Sequence, residues 1–417
     1  MQKSFWLVLF VQKMIKLLQK LGPGLLFAGA AIGVSHLVQS TKAGANFGFG
    51  LLWVLLLINL IKYPFFQFGP RYAAATGESL LDGYKKLGKG VLKVYALLTV
   101  ATMFTIQTAV TIVTAGIASS LFGTSFSAEI WTVIILLICF GVLLIGKYAL
   151  LDKMMKIIII ILSITTLLAV AVAFGNSKEA SSWVQILPKT DAEIIFLIAF
   201  MGWMPAPLDV SIWHSLWAIQ KKKEVKLFNT KTALLDFNIG YLGTIVLGVG
   251  FLMLGGLVMY GTGQTFSNNG GQFSLQLIEM YTKNLGDWSY IIIGVAALTT
   301  MFSTTLTTLD ASPRAMNKTL ELIFNKPLKN GYTSWLIVLI MGTIAIFFFF
   351  LSEMGSLIKI ATILSFVTAP FYALMNYLLI CSKHTPKSWQ PSKTMHVLSI
   401  LGILFLVGFN IWYLSIL

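Results

Sequence analysis

Two stretches decide the fold: GPGLLFAGAAIGVSHLVQSTKAG at residues 22–44 and IIFLIAFMGWMPAPLDVSIWHSLW at residues 194–217. Each is long enough to cross a bilayer as a helix, which takes about 20 mostly apolar residues, and each interrupts itself midway. In the first, apolar Leu25 to Ile32 gives way to Gly33, Ser35 and His36. In the second, Pro205 and Pro207 each remove a backbone donor and Asp209 follows at once. Non-helical backbone at that depth is tolerated only where it lines a cavity or is packed in protein, so both read as broken helices.

Working outward, apolar segments can be marked near 22–46, 48–69, 92–121, 128–149, 154–174, 192–219, 234–261, 287–310, 333–352, 356–381 and 394–416. These eleven spans predict an all-α polytopic membrane protein. With 57% apolar and 11% charged residues and a mean hydropathy of +0.84, the 417-residue chain has no room for a large soluble domain. The breaks fall in the first and sixth spans, the first members of two five-span sets. That placement predicts a 5+5 inverted repeat over 22–174 and 192–381, an appended span at 394–417, and a cytoplasmic amphipathic lead-in at 1–21. The competing reading is that Gly and Pro merely kink two packed helices.

A formal charge of +15 in a soluble chain would suggest a nucleic-acid partner. Here 24 of the 30 basic residues fall on alternate connections, among them Lys3, Lys13, Lys16, Lys20, Lys85, Lys147, Lys222, Lys226 and Lys318. The opposite connections hold only Lys42, Lys178, Lys189, Lys283 and Lys359, and Lys62 is left within a span. The positive-inside rule predicts a multi-pass protein of the cell membrane with a cytoplasmic N-terminus and an outer C-terminus. The charge surplus then records orientation in the lipid bilayer. Two cysteines give no disulfide framework, and no H-E-x-x-H, P-loop or G-x-S-x-G motif marks an enzyme or calls for a cofactor.

The residues resemble the Nramp metal-transporter family over nearly the whole chain. The carriers are the opening Gly22-Pro23 through LLWVLLL, the Met204-Pro205 pair, the Ser303-Thr304-Thr305 run with Thr307, and LSFVTAPFYALMNYLL in the tenth span. The resemblance implies a leucine-transporter-like fold and secondary active transport by alternating access. The family's Asp-Pro-Gly-Asn metal motif, however, matches Gly33, Val34, Ser35 and His36 here, and its Met-Pro-His becomes Met204-Pro205-Ala206. In the third span Gln107 and Val110 stand where the family has acidic residues associated with proton movement.

Without a carboxylate at residue 33, a divalent cation has little to neutralise it at mid-membrane. The half-helix beginning near Val34 presents unpaired N–H groups, with Ser35 and His36 as further donors, and suits an anion. The alternative reading is that His36 is a satisfied interior histidine and Ser35 a cap. Asp209 compensates the dipole of the second half-helix of span six, or binds a coupling cation or proton, or joins a rebuilt metal site with His36 and Met204. Lys62 either snorkels to the cytoplasmic face or partners Asp209 or a transported anion. The hydroxyls of span eight, Ser303 and Thr304 among them, serve helix contacts or coordinate Na⁺.

The sequence thus points to a transporter of a small anionic or polar solute, carboxylate- or bicarbonate-like. The candidate site is Gly33, Val34, Ser35, His36, Met204, Pro205, Ala206 and Asp209. Coupling to H⁺ or Na⁺ falls to Lys62, Asp209, Gln107, Ser303 or Thr304. Two alternatives stand beside it: a divalent-metal transporter using His36, Met204 and Asp209, and a non-transporting sensor or scaffold.

Overall fold

The computed structural model describes residues 21–123, 126–176, 183–224, 229–263, 265–267, 270–286, 289–350 and 354–415. The expected lead-in, apart from Leu21, lies outside them with Lys3, Lys13, Lys16 and Lys20, as do Lys178 and Lys226. The described helices are α1 (Pro23–Ala31), a π-helical turn (Ser35–Ser40) leading into α2 (Thr41–Phe47), α3 (Leu52–Thr76), α4 (Leu80–Leu87), α5 (Lys89–Phe122), α6 (Ala128–Asn176) and α7 (Asp191–Trp203). After these come α8 (Val210–Glu224), α9 (Thr230–Val258), α10 (Gly270–Leu285), α11 (Ser289–Phe324), α12 (Gly331–Phe350), α13 (Met354–Cys381) and α14 (Lys393–Ser415).

Among the described residues, eight helical segments are long and apolar enough to cross a membrane by themselves, and α1 with the Ser35–Phe47 segment passes together as a pair bent by 46°. The expected fourth and fifth spans appear inside α6 as Ala128–Ile145 and Lys153–Gly175, with helical backbone in place of a separate connection. The expected eighth span continues beyond Asp310, through Pro313, to Phe324. Asp310 is buried there because its carboxylate accepts from Arg314, at 3.1 Å for Nε, and from the Tyr332 hydroxyl at 2.9 Å.

Caps set the helix starts. Ser79 and Asp82 form a reciprocal capping box at α4, Thr190 and Glu193 do so at α7, and Asn229 caps α9. The N-terminus of α1 has no side chain of its own to cap it. Instead Asp236 of α9 accepts from Gly22 N at 3.0 Å and Gly24 N at 2.7 Å, placing a carboxylate at the positive end of the helix.

The connections sort to two ends of the bundle. At one end Lys318 pairs with Asp82 at 2.8 Å, Lys85 donates to Asn325 at 2.6 Å and Lys222 donates to the Ala74 carbonyl at 3.0 Å. Those residues come from connections expected on a single face. At the other end Ile186 N donates to Gly50 O at 2.9 Å, and the Lys42 ammonium lies 5.4 Å from the Phe273 ring centre.

Candidate functional site

The two breaks meet at the centre of the bundle. Helix α1 stops at Ala31, and Ser35 Oγ turns back to the Ala31 carbonyl. From α11, the Thr304 hydroxyl reaches the carbonyls of Gly29 at 3.1 Å and Ile32 at 3.3 Å, acceptors that lose helical partners at the break. That approach requires glycine at 33, because a Cβ there would lie 2.5 Å from Thr304 Oγ1 and 2.7 Å from its methyl carbon. Gly33 therefore acts through close packing.

His36 points away from the centre. Its Nε2 lies 2.9 Å from the Thr244 carbonyl of α9 and its Nδ1 lies 2.6 Å from Ser35 Oγ and 3.0 Å from the Ala31 carbonyl. A fully buried ring between these partners ties the broken first span to α9.

In span six, α7 ends at Trp203, the Met204–Pro205 peptide is cis, and α8 begins at Val210. Pro205 has no N–H to give the Met201 carbonyl, and the non-helical chain beyond it leaves the Gly202 carbonyl equally without a helical donor. Lys62 of α3 supplies both. Its ammonium, fully buried, donates to Met201 O at 2.7 Å, Gly202 O at 2.9 Å and Ala206 O at 3.3 Å. A positive charge thus sits at the negative dipole end of α7, and no snorkelling occurs.

Asp209 precedes α8 with its carboxylate against the N–H groups of Asp209 and Val210 and within electrostatic reach of Lys62, Tyr95 and Tyr372. Its Oδ1 has no hydrogen-bond partner, and the same holds for the hydroxyls of Tyr95, Thr99 and Tyr372. His214, one turn further, stacks on Phe27 at 5.6 Å and lies 5.7 Å from Phe237, with neither ring nitrogen hydrogen-bonded.

A cavity opens between the breaks, walled by Ala30, Ala31, Val34 and Ser35 of the first span and Trp203, Pro207, Val210 and Trp213 of the sixth. Ile106 and Val110 of α5 and Thr304 and Thr308 of α11 complete it. About 20 Å³ of it is open to the centre of a water molecule, room for one or two waters. Of the expected site residues, Val34 and Ser35 line it and Thr304 does so among the coupling candidates; Gly33, His36, Met204, Pro205, Ala206 and Asp209 do not. Gln107 braces it from behind, accepting from Thr308 Oγ1 at 2.7 Å and donating to the Thr305 carbonyl at 3.3 Å, while Ser303 bonds within its own helix to Thr300 O.

The two tryptophans escaped the sequence reading, although tryptophan belongs at membrane interfaces and one placed at mid-span is a signal. Trp203 Nε1 donates to Ser365 Oγ at 2.8 Å. Trp213 Nε1 is buried without a partner and is the free side-chain donor of the cavity wall, since the Ser35, Thr304 and Thr308 hydroxyls are all engaged. Among the described residues no carboxylate lines the cavity. Among the described residues no group of three His, Cys, Asp or Glu side chains could hold a metal ion.

Comparison with known proteins agrees with this architecture. An uncharacterized protein of Pasteurella multocida (strain Pm70) is 36% identical over 404 residues, covering 95% of this chain and 92% of its own. The manganese transporter of Eremococcus coleocola, solved with an aromatic bis-isothiourea substituted compound, superposes with a TM-score of 0.73 at 16% identity, covering 94% of this chain and 85% of its own. MhsT in complex with L-phenylalanine gives 0.65 at 14% identity, over 93% and 98%. These two likenesses show a leucine-transporter-like fold. The family model for natural resistance-associated macrophage protein-like chains, Nramp, matches residues 24–415, and the chain is accordingly a membrane transporter belonging to the Nramp family.

Proposed function

We propose that this chain is a secondary active transporter of a small solute with a carboxylate- or bicarbonate-like head, working by alternating access with its N-terminus in the cytoplasm. The observation that carries this reading is the Lys62 ammonium on the carbonyls of Met201, Gly202 and Ala206. A cation entering the break of span six would meet a fixed positive charge already holding those oxygens. Stripping a divalent ion of water beside that charge, with no carboxylate in the cavity wall, costs many kcal/mol. An anion gains where a cation loses, and the unpartnered Trp213 N–H supplies a donor for it. Val34, Val110 and Trp203 give an apolar body something to pack against.

His36, Met204 and Asp209 support the metal alternative poorly, because His36 is engaged by Thr244 and Ala31 and none of the three lines the cavity. The deciding experiment is uptake into proteoliposomes, comparing labelled bicarbonate, short carboxylates and amino acids with Mn²⁺. Accumulation of an anion is the expected result. Uptake of Mn²⁺ alone, abolished by Met204→Ala, would overturn it. A sensor or scaffold would move none of these solutes and would tolerate substitutions at both breaks without a cellular phenotype.

A further inference from the structure

A second and larger cavity, of about 590 Å³, lies at the end of the bundle away from Asp82 and Lys318. Its walls are Val38, Gln39 and Lys42 of the broken first span, Ala192, Ile195, Phe196 and Ala199 of α7, and Gly355, Ile358 and Lys359 of α13. The first span and α7 wall the central cavity as well, whereas α13 does not. On the first span the series Ser35, Gln39, Lys42 advances by four and three residues, and on α7 the series Trp203, Ala199, Phe196, Ala192 does the same, so each marks one face of a helix. Ser35 to Lys42 covers about two helical turns, most of it the π-helical segment. The larger cavity thus lies beyond the central one along the first span and α7, as a vestibule to it.

Its chemistry is one-sided. Among the described residues two lysines line it and no carboxylate does, Glu353 before Gly355 lying outside them. Asp191 and Glu193 flank Ala192 in the chain, but the Glu193 carboxylate is taken by the Lys189 and Thr190 N–H groups at 2.8 and 3.1 Å. Lys42 is half-buried with its ammonium near the Phe273 face, and neither it nor Lys359 forms an ion pair among the described residues. Gln39 is only 5% exposed, lines the vestibule, and its amide has no hydrogen-bond partner among the described residues. A cleft with low-dielectric walls and charge of one sign concentrates ions of the other. A metal-ion vestibule would need the opposite sign.

We propose that this vestibule is a first binding station for a small anion, held between Lys42 and Lys359 and passed by Gln39 toward Ser35 and the central cavity. It rests on the anionic reading of the solute above and adds the route by which that solute arrives. Gln39 lies one helical turn from each of its neighbours in the relay and has donors to spare for an anion.

Two measurements test it. In a Cys139→Ser, Cys381→Ser background, Ala192→Cys places a thiol on the exposed vestibule wall. An anionic methanethiosulfonate should modify it roughly tenfold faster than a cationic one of equal size, and the double change Lys42→Gln, Lys359→Gln should bring the two rates together. This arm needs no transport. Equal rates in the parent, or a preference for the cationic reagent, would overturn the proposal whatever the solute proves to be. In the second arm, uptake of labelled acetate and bicarbonate is followed in proteoliposomes. The same double change should raise KM by roughly tenfold with kcat retained and flatten the dependence on ionic strength, while Lys42→Arg with Lys359→Arg restores both. Unchanged KM and salt dependence in a protein that transports either anion would also overturn it. A parent that transports neither anion but keeps the thiol preference counts against the proposed function and leaves the vestibule standing as an anion site.

Discussion

Lys62 and Met201, 139 positions apart in the chain, meet 2.7 Å from ammonium to carbonyl inside the bundle, where the sixth span breaks. The contact joins the second span to the sixth and puts an ammonium at the site of discontinuity. Truncating it leaves three carbonyls and the Asp209 carboxylate without their donor and counter-charge. Removing one partner of a buried charged arrangement costs about 3–5 kcal/mol. Lys62→Met is expected to lower the melting temperature in detergent sharply, and Lys62→Met with Asp209→Asn to lose less than the two single changes combined. Strict additivity in that double-mutant cycle would show the two groups to be uncoupled.

In the sequence Gly33 stands where the resemblance places a carboxylate, and its structural role is to admit Thr304. Gly33→Ala puts a methyl against the Thr304 hydroxyl and methyl group. Overpacking of this kind costs about 1–3 kcal/mol. Transport should fall with it, and Thr304→Ala, which removes the two nearest atoms, should recover part of the loss. Full transport in Gly33→Ala alone would mean that α11 is free to move away.

Trp213 and Trp203 should separate binding from stability. The Trp213 N–H has no protein partner, so Trp213→Phe removes no internal hydrogen bond. A hydrogen bond to a charged solute contributes about 1.5–3 kcal/mol, which corresponds to a rise of at least tenfold in KM at an unchanged melting temperature. Trp203→Phe instead breaks the bond to Ser365 and should lower thermal stability. The reverse pattern would reassign the two rings.

How much of this was legible in the sequence follows from how local each feature is. Both breaks could be read because Pro205, Pro207 and the polar residues after Ile32 alter the backbone where they stand. Lys62 could be seen as anomalous, but its acceptors lie more than a hundred positions away and nothing near it names them. The direction of His36 is set by the rotation of a half-helix against α9, where its Nε2 meets the Thr244 carbonyl. Lys42 and Lys359 were legible only as minority charges on one face, because that they share a cavity depends on how the first span and α13 pack.

The bundle end opposite the vestibule should show a simple acid response. Burial would raise the Asp82 carboxyl, but hydrogen bonds from Lys318 and Ser79 and the Lys318 charge outweigh it and hold the group below its ordinary range. A depressed folded-state value means that its contribution is fully present above the unfolded carboxylate range, near pH 4, and is lost as pH falls through the folded value. Melting temperature should therefore respond to this pair only below about pH 4. Asp82→Asn should lower it at neutral pH and remove that part of the acid dependence, whereas a response between pH 6 and 8 would implicate another group.

Vacating the Lys62 site supplies the sharpest test of what it excludes. In the parent protein the ammonium satisfies the Met201, Gly202 and Ala206 carbonyls, so Mn²⁺ at millimolar concentration should give neither binding heat nor a thermal shift. Lys62→Ala removes the stem and the charge together, leaving an apolar channel that ends on three carbonyl oxygens. An alkylammonium ion reproduces both parts. Any ligand that binds only the folded state stabilises it by mass action, by about 2.7 kcal/mol at a hundredfold excess over its Kd. Ethylammonium should therefore raise the melting temperature of Lys62→Ala, and leave the parent unmoved, at concentrations where NaCl does little to either. If Na⁺ rescues the variant as well as ethylammonium does, the carbonyls alone form a cation site and the lysine's role is to plug it. If neither rescues, the break of span six is held by packing and the ammonium contributes little to it.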